Sequence, residues 1–118
     1  MRYLMIHDID ESILTWNDHG HEAEDPEVAR ALDVWDAEMI ARGILVGGAV
    51  LRPVRDTTTV RIRGGELLVS DGPYAETKEQ IAGFDLLQCA DLDAALEVAA
   101  RHPTARIGTF ELRPLVRP

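Results

Sequence analysis

The stretch Ser70-Asp71-Gly72-Pro73-Tyr74-Ala75-Glu76-Thr77-Lys78-Glu79-Gln80-Ile81-Ala82-Gly83-Phe84 separates a short apolar strand pattern from a longer one. Asp71-Gly72-Pro73 is turn chemistry: glycine tolerates positive φ, proline fixes the next φ, and the aspartate can accept from following backbone N–H groups. Tyr74 adds an aromatic ring with a polar tip beside Asp71. Glu76, Lys78 and Glu79 crowd charge into the next few residues. A hairpin needs only about two to five connecting residues, so this connection is over-specified for a turn alone.

Working outward, residues 57–63 are rich in β-branched side chains, Gly64-Gly65 is a hairpin turn, and 66–69 return. Residues 81–89 form the next strand pattern. Asp91 caps a helix over 92–101, with Leu92, Leu96 and Ala99 on one side and Pro103 just beyond its end. Residues 107–112 read as the last strand. Upstream, 2–6 is a continuous apolar strand. The acidic, histidine-bearing stretch 8–25 is too long for a mere connector and reads as a flap or an insertion, pinned by Ile13, Leu14 and Trp16. Asp25-Pro26-Glu27 opens a helix: N-cap, first-turn proline and an acid at the positive end of the dipole. Val28, Leu32, Trp35 and Met39 recur at helical spacing, and Gly43 ends the helix. Residues 44–51 are a strand whose Gly47-Gly48 pair predicts a bulge or a close approach. The order is strand, helix, strand, hairpin, strand, helix, strand. It predicts one α+β domain over 1–118, a ferredoxin-like βαββαβ sheet with an added β-hairpin.

Asp71-Gly72-Pro73-Tyr74-Ala75-Glu76-Thr77-Lys78-Glu79 resembles the signature of the YCII-related family, in its DGPF-domain branch, with Tyr74 where that branch usually carries Phe. The resemblance implies the dimeric α+β barrel version of the fold, and therefore a homodimer. Resemblance to the wider family also implies a His–Asp pair whose histidine lies on the first helix. Here the aligned position holds Asp33, and the helix carries no histidine. Either His7, His19 or His21 substitutes from outside the helix, or this branch does not catalyse by that pair.

Composition bounds the partners. The chain has 118 residues, 46% apolar and 28% charged, with a formal net charge of −9. That charge opposes nucleic acid and anionic lipid at long range. No apolar run approaches the roughly 20 residues of a membrane span. The N-terminal apolar run is too short for a signal peptide, so the expected compartment is the cytoplasm. Cys89 is the single cysteine, which excludes an internal disulfide, and its apolar strand setting reads as a buried thiol.

Two helices cover one face of such a sheet, and the other needs water, a partner or a ligand. Alternation, aligned on Phe84, Leu86, Phe110 and Leu112 as the helix-facing residues, assigns Tyr3, Met5 and Leu87 to the far face beside Asp85, Glu111 and Arg113. A dimer closing over a partly polar cavity fits that mixture. Asp71 is the first candidate for a catalytic carboxylate, as general base or as the partner of a histidine. His7, at a strand end, is the second. Tyr74, Asp85, Glu111 and Arg113 are the candidate substrate-binding residues. His19 and His21 lack a third ligand fixed by spacing, so no metal and no cofactor is expected. The functional expectation is a homodimer binding a small organic molecule, with cofactor-independent lyase- or isomerase-like chemistry as one outcome. The alternative is a non-enzymatic accessory module linked to sigma-factor-dependent transcription, which the resemblance also implies.

Overall fold

The computed structural model describes residues 1–17, 20–23 and 25–117, with 15–17 and 20–23 described by their backbone alone. In chain order the elements are β1 (Arg2–Ile9), β2 (Leu14–Asn17), β3 (Gly20–Ala23), α1 (Pro26–Ala41), β4 (Leu45–Val50), β5 (Thr58–Arg63), β6 (Glu66–Asp71), β7 (Gln80–Gln88), α2 (Leu92–Ala100) and β8 (Thr109–Pro114). Short helical turns fall at Glu11–Ile13, Val54–Asp56 and Pro103–Arg106. The main sheet runs β4-β7-β1-β8 with antiparallel neighbours. That is the strand order of the ferredoxin-like α+β fold, as the sequence pattern predicts. No helix among the described residues is long and apolar enough to cross a membrane.

The helices start where their caps dictate. Asp25 Oδ1 accepts from Glu27 N at 2.9 Å, with Pro26 in the first turn. Asp91 Oδ1 accepts from Ala94 N at 2.9 Å. Each such cap contributes about 1 kcal/mol by satisfying a backbone donor that the helix cannot. Gly43 ends α1 at φ +70°. The helices meet through Trp35, whose Nε1 donates to Val98 O at 3.0 Å.

Two segments depart from the sequence reading. After a short helical turn at Glu11–Ile13 that fits the sequence reading, the chain forms a second hairpin, β2–β3, that periodicity did not signal. The Glu11 carboxylate accepts from Val54 N at 2.9 and 3.2 Å and ties this region to the turn after β4. The last strand begins at Thr109 rather than 107, because the turn opened by Pro103 continues through Arg106 and is capped at Ile107.

The face assignment is corrected. Tyr3, Met5 and Leu87 do not face away from the helices; they are buried with Trp35, Met39, Ala95 and Val98 in the main core. Backbone register gives the reason. Met5 lies opposite Leu112 and His7 opposite Phe110, while Tyr3 lies opposite Leu87 and Met5 opposite Asp85. Phe110 and Leu112 therefore share the helix side with Tyr3, Met5, His7, Asp85 and Leu87. Phe84 and Leu86, paired with Ile6 and Leu4, occupy the open side. Alternation within one strand defines two faces; only pairing relates the faces of different strands.

The Gly47-Gly48 pair marks both features that the sequence offers as alternatives. Leu45 pairs with Leu87 and Gly47 with Leu86, so Val46 is an extra residue in β4. Gly48 has φ +149°, and a Cβ there would lie 2.5 Å from Phe84 O and 2.7 Å from Asp85 Oδ1. Gly48→Ala is expected to cost about 1–3 kcal/mol through backbone strain and this collision. Urea unfolding of the variant measures it; unchanged stability would show that β4 yields without cost.

Candidate functional site

Four elements meet at the end of the main core. His7 comes from the helix-facing side of β1 and Asp85 from the same side of β7. His102 stands at the end of α2, and Asp33 and Asp36 project from α1. These residues line a cavity of about 520 Å³ between α1 and the β4–β7 side of the sheet. Ile9, Leu14, Val28, Leu32, Ile40 and Leu45 provide much of its apolar wall.

His7 Nε2 lies 2.8 Å from Asp85 Oδ2, with side chains only 14% and 15% exposed. A carboxylate there holds the proton on Nε2 and leaves Nδ1 as the basic nitrogen of the neutral ring. Phe110 stacks on His7 with centroids 4.3 Å apart and planes 11° from parallel. His102 meets the His7 ring edge-on at 5.1 Å and sits against Trp35 at 4.5 Å. The dyad imidazole is thereby held by β8 on one side and by the end of α2 on another.

His102 is buried, and its Nδ1 accepts from Thr104 N at 3.1 Å. It serves as the cap of the Pro103–Arg106 turn. Burial, reinforced by the neighbouring His7 and partly opposed by Asp85, lowers its pKa to about 4. His102 is therefore a neutral ring with its proton on Nε2. The donor atoms of His7, Asp85 and His102 lie within 4.8 Å of one another. A metal at His102 Nε2 would need that nitrogen's lone pair, and the remaining proton on Nδ1 would then oppose the Thr104 N–H. The three side chains as arranged fit a hydrogen-bonded group better than a metal centre.

Asp36 is partly buried, and its pKa is raised first by desolvation, then by the negative charges of Asp85 and Asp33. The opposite sheet face carries a separate acidic group. Asp8, whose pKa is raised by burial, shares a hydrogen bond with Glu111, and Glu79 adds like charge. Thr109 Oγ1 donates to Glu79 at 2.9 Å.

Of the residues singled out from sequence, the structure brings His7 and Asp85 together. Glu111 joins Asp8 on the open face instead. Arg113 is exposed on β8, two residues further along. Asp71 ends β6 with its backbone opposite Thr58; its side chain makes no hydrogen bond or ion pair among the described residues and does not line the cavity. Gly72, at φ +95°, carries the turn, and its carbonyl accepts from Thr59 Oγ1 at 2.7 Å. Tyr74 is 80% exposed, with the Arg61 guanidinium 5.4 Å from its ring centre. His19, with Asp18 and Glu24, lies outside the described residues, and His21 is described by its backbone alone. The sequence reading missed His102 and Asp36. His102 immediately precedes the proline that ends the α2 region, and only this adjacency hinted at a cap. Asp36 lies one helical turn from Asp33, a spacing that puts both on one side of α1.

Comparison with known proteins places this geometry in context. The family model for the YCII-related domain matches residues 1–117. An uncharacterised protein of Rhizobium meliloti (strain 1021) is 39% identical over 111 residues, covering 88% of this chain and 90% of that protein.

The depressed pKa of His102 has a consequence for stability. Between its ordinary 6.5 and about 4, the unfolded chain binds a proton that the folded chain does not. Stability from this group is therefore full above pH 6.5 and falls on acidification, by roughly 3 kcal/mol at pH 4. Urea unfolding from pH 7 to 4 should show the difference between the protein and its His102→Gln variant shrinking toward low pH. A difference independent of pH would mean that His102 protonates equally in both states.

Proposed function

The chain belongs to the YCII-related family, and on that footing we propose that it binds a small organic molecule in the cavity under α1 and performs proton transfer on it with His7 as the acid–base group. The observation that carries this reading is the 2.8 Å His7–Asp85 contact on the wall of an otherwise largely apolar cavity. A general base needs a defined tautomer, a fixed ring and room for a substrate beside it. Asp85 supplies the first, Phe110 and His102 the second, and the cavity the third. The pair stands in place of a histidine on the first helix, where this chain has Asp33. Lyase or isomerase chemistry without a cofactor suits such a site, since either begins by moving a proton. Asp71, at the base of the β5–β6 hairpin, and Tyr74, just after it, do not line the cavity.

A homodimer is part of the same proposal. Leu4, Ile6, Phe84 and Leu86 are only partly buried on the sheet face that the helices leave open. Two such faces packed together would form the dimeric barrel and remove that apolar surface from water. Sedimentation equilibrium at micromolar concentration is expected to give a dimer, and Leu86→Glu a monomer. A monomeric parent protein would end this part of the proposal.

Chemistry is tested by screening small metabolites for thermal stabilisation and following each binder by NMR in deuterium oxide. At least one binder should exchange a carbon-bound hydrogen or be converted, with His7→Gln slowing this by about 10²–10⁴-fold. Asp85→Asn should give a smaller loss, because His7 keeps its place but not its tautomer. Binders that neither exchange nor react faster with the parent protein than with His7→Gln would leave an accessory binding module as the better reading.

A further inference from the structure

The charge balance of the cavity points to one class of ligand. Its side chains include three carboxylates at graded depth: Asp33 exposed at the rim, Asp36 partly buried, and Asp85 with a side chain 15% exposed. Among the described residues no Lys or Arg lines the cavity. Residues 15–24, whose side chains are not described, contain no Lys or Arg either. Neither Arg30 of α1 nor Arg42, its C-cap, lines the cavity, and Arg42 lies 3.4 Å from Glu38. Asp33 and Asp36 make no ion pair among the described residues, and Asp85 has only the His7 imidazole.

We propose that the ligand is an organic cation, an amine or amidine on an apolar body, whose charge sits among Asp33, Asp36 and Asp85 while the body lies on Leu14, Val28 and Leu32. This rests on the reading of the cavity as a small-molecule site and adds its selectivity. Low-dielectric walls strengthen the attraction of a cation to these carboxylates, and they penalise an anion by the same reasoning. Asp36, whose pKa is raised first by burial and then by the charges of Asp85 and Asp33, has its ionised form favoured by a cation and disfavoured by an anion. The apolar wall argues for a hydrocarbon body rather than a hydrated inorganic ion, which would leave that surface uncovered.

The test uses matched triples, each an ammonium, an alcohol and a carboxylate on the same phenylethyl, cyclohexylethyl or n-pentyl body. Binding to the full chain is followed by backbone amide shifts of His7, Gly48 and Asp85. The ammonium member is expected to bind at least tenfold more tightly than the alcohol, with the carboxylate weakest. In Asp33→Asn/Asp36→Asn that order should collapse to within about twofold, while the circular dichroism spectrum stays unchanged. Equal binding of ammonium and alcohol, or a preference for the carboxylate, overturns the cation proposal and leaves the cavity reading intact. Abolition of ammonium binding by equimolar Mg²⁺ also overturns it, in favour of a metal ligand. Failure of every compound to shift the cavity amides overturns both.

Discussion

Alternation along β1 is the constraint on which the rest of the molecule depends. Tyr3, Met5, His7 and Ile9 project to one side of a strand in the middle of the sheet. The first two need cover, and Trp35, Met39 and Val98 supply it. Once that apolar half is packed, alternation carries His7 and Ile9 onto the same side, where both line the cavity. The core and the candidate site are thus one face of one strand, divided where the side chains change from apolar to polar.

That division lets the packed core position the site although it lies beside an open cavity. Phe110 stacks on His7 and also packs against the main core. His102 contacts His7, Phe110 and Trp35, while its Nδ1 is held by a backbone donor. The imidazole of His7 is positioned by groups that the fold needs for its own packing. Gly48 serves the other half of the pair. Its missing Cβ leaves the space that Asp85 Oδ1 occupies against β4, so a glycine in a strand, which costs local stability, here permits the carboxylate to stand where it does.

The electrostatic design runs the same way. Burial, and then the charges of Asp85 and Asp33, raise the cost of ionising Asp36, and among the described residues no Lys or Arg lines the cavity. A carboxylate perturbed by burial and by neighbouring charge in a cavity is a common mark of a ligand-binding site. None of the residues of the conspicuous sequence feature, Asp71 to Glu79, lines this cavity. Pro73, Tyr74, Thr77 and Glu79 line a separate surface recess with Pro53 and Val54. Its length reflects how the chain returns from an exposed hairpin to the central strand β7.

The amino-acid sequence alone was enough for the order of the main-sheet strands, the two helices and the β5–β6 hairpin, the caps at Asp25 and Asp91, the end of α1 at Gly43, the glycine turn at 64–65 and the irregularity at 47–48. These are local properties, set by the φ, ψ and hydrogen-bonding capacities of neighbouring residues. The recurring pattern of strand and helix sufficed for the ferredoxin-like α+β class. His7 and Asp85 could each be named as candidates, but not as partners. They are 78 positions apart, and their meeting depends on the register between β1 and β7, which includes a bulge after His7. The same register decided which side of the sheet faces the helices. There the sequence reading went astray, since alternation is symmetric and both sides of β1 and β7 carry apolar residues. His102 and Asp36 became site residues only when the helices docked, because their roles come from burial and from neighbours distant in the chain. Local chemistry is written in consecutive residues; the pairing of strands and the depth of a side chain are properties of the whole folded chain.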